Sequence, residues 1–312
     1  MNFVFIDQDK TIKSEQDLQP LKKYGEVIIY DHPPRTDQEI LARAEQADVI
    51  FFALTRFSRE VFQKLPRLRV MQFLGTGVWN LVDVELAESL GKRVLNVEGY
   101  GNNAVAEYTI ALAFSLARNI PRKDQEMRKG IWDLGTGGME IKDSVFGVVG
   151  TGNIGSLVAQ KAALLGARVL AYDLTRSQEL QNKYGIEYVS LEELVQEADF
   201  ITLHVKYNAA TDKIINKNVI KKMKEGIYFI NTARSALVDN EALYQSLKNQ
   251  RIRGAALDVF EIEPLKSFEI AKLDNIITTP HTGFYTANAT RNLLAMSIQS
   301  VLKELKSLDL IS

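Results

Sequence analysis

Short runs of β-branched and aromatic residues alternate along this chain with longer stretches whose apolar positions recur every three or four residues. The runs have the length of strands and the stretches have the spacing of amphipathic helices. Together they make the βαβ rhythm of an open parallel sheet. In the N-terminal part "FVFI", "VIIY", "VIFFAL", "LRVMQFL" and "RVLNV" read as strands, with helical spacing in "TDQEILARAEQAD" and "DVELAESLG" between them. Near residue 100 the rhythm breaks. Asn102 and Asn103 can cap a long helix running to about Arg118, and "IPRKDQEMRKGIW" continues as a second helical piece. The rhythm resumes with "SVFGVVG", "ARVLAYD", "DFITLHV", "GIYFINTA", "IRGAALDVF" and "NIITTP" as strands, and Ala287 to about Leu308 reads as one closing helix.

A length of 312 residues suits two domains, and no repeat, low-complexity tract or Gly/Ser linker interrupts them. The fold class is therefore read as α/β, two doubly wound parallel-sheet lobes with a helical connection. Hydrophobic residues make up 46% and charged residues 25%, as in an ordinary soluble globular protein. The 38 basic and 39 acidic side chains leave a formal net charge of −1, which gives no field to draw the chain to nucleic acid or an anionic membrane. The lack of cysteine excludes disulfides, thiolate metal sites and cysteine nucleophiles; it fits a reducing compartment, and no metal is expected. "MNFVFIDQDK" meets an acid at Asp7 and reads as a first strand, not a signal peptide. The most apolar helix, "NAVAEYTIALAFSLAR", carries Glu107 and falls short of the roughly 20 residues of a membrane span. A cytoplasmic protein is expected.

One stretch changes this picture. "SVFGVVGTGNIGSLVAQKAALLGARVLAYD" places Gly150, Thr151, Gly152, Asn153, Ile154 and Gly155 between an apolar strand and a helix, and a second strand ends at Asp173, eighteen residues past Gly155. This is the context in which a GxGxxG motif signals a dinucleotide. Gly150 allows the tight turn, Gly152 lets the backbone approach a pyrophosphate, and Gly155 permits close packing. The helix N-terminus offers N–H groups and partial positive charge to the phosphates. A carboxylate at Asp173 can accept from ribose hydroxyls and would repel a 2′-phosphate, which favours NAD over NADP, although Arg176 lies three residues on.

Three polar insertions then follow apolar runs: "FINTARSALVD" with Arg234, "ALDVFEIEP" with Asp258 and Glu263, and "TTPHTG" with His281. In a doubly wound sheet ligands bind at the carboxyl ends of the strands, so loops distant in sequence can converge there. With these segments in place, the chain resembles the D-isomer-specific 2-hydroxyacid dehydrogenases over essentially its whole length. The resemblance is carried, in order, by "NAVAEYTIALAFSLAR", "GIW", "FGVVGTGNIG", "FINTARSALVD", "AALDVFEIEP" and "PHTG". It implies a Rossmann NAD-binding domain over residues 100–285 and a flavodoxin-like substrate domain over residues 1–99 with 286–312, the lobes closing to exclude water during transfer.

The resemblance also implies a catalytic set of Arg234, Glu263 and His281. Reducing a 2-oxo acid puts hydride on a carbonyl carbon and negative charge on its oxygen, which a positioned acid must protonate. Histidine can give and take a proton near neutrality. A carboxylate beside it favours the imidazolium, the expected role of Glu263. Arg234 offers a planar fork to the substrate carboxylate. By the same resemblance Asp258, Thr232, Ala233, His204 and Gly283 lie near the cofactor, and His204 is read as structural or peripheral to catalysis. The loop "FLGTGVWN" puts the Gly75, Thr76 and Gly77 backbone on the substrate carboxylate, with Tyr100 and Asn103 as further candidates. His32, in "YDHPPR", reads as a solvated loop residue.

Several positions depart from the family pattern. Lys206 stands where a proline is usual, and Trp79 is bulky where a small acid is common, in a loop one residue longer. Phe52, Ala53 and Leu54 are apolar where phosphoglycerate-type members carry an arginine, with Arg56 slightly displaced. The expected activity is therefore NAD-dependent hydride transfer on a small unphosphorylated D-2-hydroxy or 2-oxo acid (glycerate/hydroxypyruvate, glyoxylate or lactate-like). 3-Phosphoglycerate is the alternative substrate. A non-catalytic NAD(H)-sensing protein is the alternative of another class, and formate or phosphite oxidation a weaker one. A homodimer is implied by the resemblance alone.

Overall fold

The apolar runs of the sequence form parallel strands, the central ones buried on both faces, in a computed structural model that describes residues 1–7, 11–78, 81–135 and 137–312. The chain divides into two units, Met1–Gly101 with Tyr285–Ser312, and Asn102–Phe284.

Among the described residues, the first unit holds β1 (Asn2–Phe5), β2 (Glu26–Ile29), β3 (Val49–Phe52), β4 (Val70–Phe73) and β5 (Arg93–Leu95). Their order is β2-β1-β3-β4-β5, with every pairing parallel. This is the doubly wound 2-1-3-4-5 order, whose switch point lies between β1 and β3. Successive strand residues serve opposite faces. Val4, Ile50 and Phe52 enter one apolar cluster, and Phe3, Phe5, Val49 and Phe51 enter the other. On the second face the rings of Phe5 and Phe51 stack with centroids 4.3 Å apart. That face is covered by Leu293, Leu294, Ile298, Val301 and Leu305 of the closing helix Ala287–Ser307. The Thr286 side chain caps this helix by accepting from Ala289 N–H.

In the second unit β6 (Val145–Val149), β7 (Arg168–Tyr172), β8 (Glu187–Tyr188), β9 (Phe200–Leu203), β10 (Ile227–Asn231), β11 (Ile252–Leu257) and β12 (Ile276–Thr278) form one sheet. Its order is β12-β11-β10-β9-β6-β7-β8, again parallel throughout. Counted from β6, this is the 3-2-1-4-5-6 order of the Rossmann fold, extended by β12. Tyr228 and Ile230 face the helices Asn102–Ala117 and Asn153–Leu164. Ile227 and Phe229 face the opposite layer with Leu194, Leu243 and Leu247.

The structure departs from the sequence reading at three places. Strand β8 is two residues long, too short to show a period, and is held by its register on β7. Asn102 and Asn103 are the first residues inside the long helix and not its cap. The Asn103 amide instead donates to Glu107 Oε1 at 2.7 Å, one turn along. The second helical piece is Ile120–Arg128, and Gly130 at φ 75° ends it before Trp132. Among the described residues no helix is long and apolar enough to cross a membrane.

Candidate active site

Strands β10, β11 and β12 are neighbours at one side of the second sheet, so the loops leaving their carboxyl ends are neighbours too. The first loop is shaped by Asn231, a buried polar residue at the end of β10. Its Oδ1 accepts from Ala233 N–H at 3.0 Å and its Nδ2 donates to Arg234 O at 2.9 Å. One amide thus closes the turn that ends on the exposed Arg234, whose Nη1 donates to Ala233 O at 2.7 Å. Buried Thr232 meets the hydroxyl of Thr109 at 3.1 Å and ties this loop to the long helix.

Asp258, at the end of β11, is 1% exposed. Its Oδ1 accepts from the Thr279 hydroxyl at 2.6 Å and from Thr282 N–H at 2.9 Å, and its Oδ2 accepts from Gly283 N–H at 2.8 Å. A single carboxylate therefore wraps the loop on which His281 stands. His281 itself takes a left-handed backbone, φ 54°, sparsely populated by non-glycine residues, which the clamp on either side sustains.

From this position His281 Nδ1–H donates to Glu263 Oε2 at 2.7 Å, while Glu263 Oε1 accepts from Phe260 N–H at 2.8 Å. Burial works to raise the Glu263 carboxyl. The hydrogen bonds from His281 and Phe260, with the charges of His281 and Arg234, outweigh it and hold the group below the usual glutamate range. The two side chains keep 38% and 36% of their surface exposed, so the pair is anchored yet open to a ligand. The Phe284 ring meets the imidazole edge-on at 6.2 Å.

The glycine turn lies at the end of β6 in the same sheet. Gly150 has φ 94°, and a Cβ there would lie 2.7 Å from Val205 N. A Cβ on Gly155 would lie 1.8 Å from Gly150 O and 3.0 Å from His204 Cβ. A Cβ on Gly152 would meet nothing within 4 Å, and no side chain caps the helix that Gly152 begins. Two glycines are thus demanded by the turn itself. The third leaves room directly over an uncapped helix N-terminus, the cradle a dinucleotide pyrophosphate requires. Asn153 and Ile154 open that helix. Asp173 ends β7 and accepts from Thr151 N–H at 2.6 Å and Thr175 N–H at 3.0 Å.

His204 follows β9 and its N–H donates to Val149 O at 2.7 Å. Half-buried as a residue, it has a fully shielded Nε2 without a hydrogen-bond partner among the described residues. Burial pushes this imidazole down to about 3, so it is neutral. Beyond Lys206, Thr211 Oγ1 donates to Lys206 O at 2.8 Å and closes the loop that replaces the expected proline turn.

In the first unit, Gly75, Thr76 and Gly77 follow β4. Val97 N–H donates to Gly75 O, and Thr76 Oγ1 donates to Val97 O, both at 3.1 Å. Trp79 lies outside the described residues. Half-buried Tyr100 packs on the core face that carries the closing helix. His32 has more company than a solvated loop residue: Nδ1–H donates to Asp31 at 2.7 Å and Nε2 accepts from the buried Arg43 at 2.8 Å.

The sequence reading gives no role to two positions of consequence. Asn231 reads there as the tail of a strand. Asp7, 1% exposed, accepts from the N–H groups of Ala53 (2.7 Å), Leu54 (2.8 Å) and Thr55 (2.5 Å) and from the Thr55 hydroxyl. A polar residue closing an otherwise apolar strand was the available signal for both. Burial raises the Asp7 carboxyl, and these bonds oppose the rise without cancelling it.

A family model described as "D-isomer specific 2-hydroxyacid dehydrogenase, NAD binding domain" matches residues 110–283. The chain is 37% identical, over 93% of its length, to a D-3-phosphoglycerate dehydrogenase of Methanocaldococcus jannaschii, but spans only 56% of that protein. It is 31% identical, over 98% of its length, to a hydroxypyruvate reductase of Blautia hydrogenotrophica and spans 97% of it. Among solved structures it is similar to a D-lactate dehydrogenase from Aquifex aeolicus complexed with NAD and lactic acid. That likeness has a TM-score of 0.84 at 28% identity and covers 100% of this chain and 97% of the other.

Proposed function

Because the chain belongs to the D-isomer specific 2-hydroxyacid dehydrogenase family, we propose that it moves a hydride between NAD(H) and a small, unphosphorylated D-2-hydroxy or 2-oxo acid, with Arg234, Glu263 and His281 as its catalytic residues. The observation that carries this reading is the 2.7 Å pair of His281 and Glu263 on a loop wrapped by Asp258. NAD, when bound, supplies or accepts the hydride. Gly150, Thr151, Gly152, Asn153, Ile154 and Gly155 cradle its pyrophosphate, and Asp173 accepts from its ribose. His204, Thr232, Ala233, Asp258 and Gly283 line the remainder.

Proton handling follows from which ring nitrogen is taken. Nδ1 is committed to Glu263, so Nε2 is the nitrogen left to give a proton to the carbonyl oxygen in reduction and to recover it in oxidation. Glu263 stays ionised and steadies the imidazolium before transfer; afterwards the neutral ring keeps its Nδ1 proton in the same hydrogen bond. The Arg234 guanidinium holds the substrate carboxylate in a charge-assisted fork. Amides of Gly75, Thr76 and Gly77 are its further proposed partners.

The preference for an unphosphorylated acid is supported by Asp7. The consecutive N–H groups of Ala53, Leu54 and Thr55, in the segment where phosphate-handling relatives carry arginine, already hold a carboxylate of the chain itself. A homodimer is supported by exposed apolar side chains of the second unit, with Met127 54%, Trp132 85% and Leu134 89% exposed. The lack of cysteine supports a cytoplasmic site of action. The test of activity is NADH absorbance followed against glyoxylate, hydroxypyruvate, pyruvate, longer 2-oxo acids and phosphohydroxypyruvate. No oxidation with any of them, despite NADH binding, would leave only an NAD(H)-sensing role, and light scattering on the purified chain reads its oligomeric state.

A further inference from the structure

Beside the glycine turn runs a chain of hydrogen bonds that none of these roles uses. Ser177 N–H donates to the Tyr188 hydroxyl oxygen at 3.1 Å. The hydroxyls of Tyr188 and Thr151 are 2.8 Å apart, and Thr151 Oγ1 lies 3.2 Å from Asp173 Oδ2. An ionised carboxylate only accepts and each hydroxyl has one proton, so the chain runs one way. Thr151 donates to Asp173, Tyr188 donates to Thr151, and Ser177 donates to Tyr188. Arg176 then sits between two pinned backbone N–H groups: Thr175 is held by Asp173 Oδ1 and Ser177 by Tyr188. Tyr188 stands on the two-residue edge strand β8, half-buried, with its ring packed on the core.

We propose that Tyr188 is the positioning residue that sets nucleotide specificity. Its hydroxyl, acting through Thr151 and Ser177, holds Asp173 and the turn before the helix Gln178–Tyr184 in a shape that accepts free ribose hydroxyls and keeps Arg176 from serving a 2′-phosphate. A carboxylate discriminates against phosphate only while it stays aimed at the ribose. A nearby arginine is the means by which this fold accommodates the 2′-phosphate once it is free to reach it. Of about four acceptor positions on the Asp173 carboxylate, Thr151 N–H, Thr151 Oγ1 and Thr175 N–H take three. One remains for a ribose hydroxyl, and its direction is fixed by the other three. Removing the Tyr188 hydroxyl releases Ser177 N–H and takes from Thr151 Oγ1 the donor that helps to orient it.

The inference rests on Asp173 being the ribose acceptor, and the two can fail separately. Dissociation constants for NADH and NADPH are measured by nucleotide fluorescence on the purified chain and on Y188F, Y188F/R176A and D173A, with thermal unfolding as the folding control. Y188F is expected to lower the NADPH-to-NADH ratio of dissociation constants about fivefold or more, the size of one lost hydrogen bond, chiefly through tighter NADPH. Y188F/R176A is expected to return the ratio to its original value. An unchanged ratio in Y188F, or a parallel change for both nucleotides, overturns the role of Tyr188. A gain of NADPH that survives R176A overturns the part given to Arg176. Unaltered NADH binding in D173A overturns the ribose reading instead.

Discussion

No hydrogen bond joins the side chains of Asp258 and His281 among the described residues, yet the Asp258 carboxylate holds the Thr279 hydroxyl, Thr282 N–H and Gly283 N–H and so fixes the loop on both sides of the imidazole. The sequence resemblance assigns Asp258 to the nicotinamide. The structure shows where its acceptor capacity goes, and a buried carboxylate with three donors has a structural obligation whatever else it touches.

Replacing Asp258 by asparagine tests that obligation. An amide keeps one acceptor and turns an NH2 toward N–H groups that need an acceptor, leaving at least one buried donor unpaired. The expected cost is about 2–4 kcal/mol of stability, read as a lower urea midpoint with an unchanged slope, together with a fall in kcat. A variant as stable as the parent would show that the loop does not depend on this clamp.

His281→Gln removes the proposed proton carrier but leaves the glycine turn untouched. Turnover of any 2-oxo acid is expected to fall by about 10²–10⁴, while NADH quenches with its original dissociation constant. Retained turnover would take His281 out of the mechanism.

Glu263→Gln separates charge from hydrogen bonding, since glutamine can still accept from Nδ1–H. Without the negative charge the bond to the ring is no longer charge-assisted, so kcat for reduction is expected to fall about tenfold. On the acid side the sign is set by Glu263 itself. Its carboxyl is held below the usual range, so the pairing is present above the unfolded glutamate value, near 4.3, and is lost only as pH drops through the folded one. A kcat equal to the parent's would count against the pairing.

What could be read without coordinates follows a physical division. Apolar runs such as "VIFF" and "YFIN" announce buried parallel strands because burial on two faces leaves a continuous hydrophobic signature, and both form β3 and β10. The glycine turn was legible because its flanking strand and helix were. Strand β8 was not, since two residues carry no period. Nor were the partners of Asp7, Asn231 and Asp258. Periodicity reports that a residue is buried, but the donors of Asp7 lie 46 to 48 positions away and are brought to it only by strand order.

The three glycines give a paired prediction. A Cβ at Gly155 would lie 1.8 Å from a backbone oxygen, so Gly155→Ala must displace helix or turn, and a loss of about 3 kcal/mol or failure to fold is expected. A Cβ at Gly152 meets only open space. Gly152→Ala should therefore unfold within about 0.5 kcal/mol of the parent and still bind NADH much more weakly. If Gly152→Ala binds NADH normally, the cradle is not over that residue.

The neutral His204 makes stability depend on pH. Its folded value, about 3, lies far below the unfolded reference near 6.5. Between those limits the unfolded chain binds a proton that the folded chain refuses, so stability is full above pH 6.5 and drains away as pH falls toward 3. From pH 7 to pH 5 this single group should remove about 2 kcal/mol. His204→Asn cannot titrate and should lose less stability over the same interval, whatever its absolute stability. Urea unfolding of both proteins at the two pH values supplies the comparison. Equal losses would mean that the imidazole is solvated and charges freely in the folded chain.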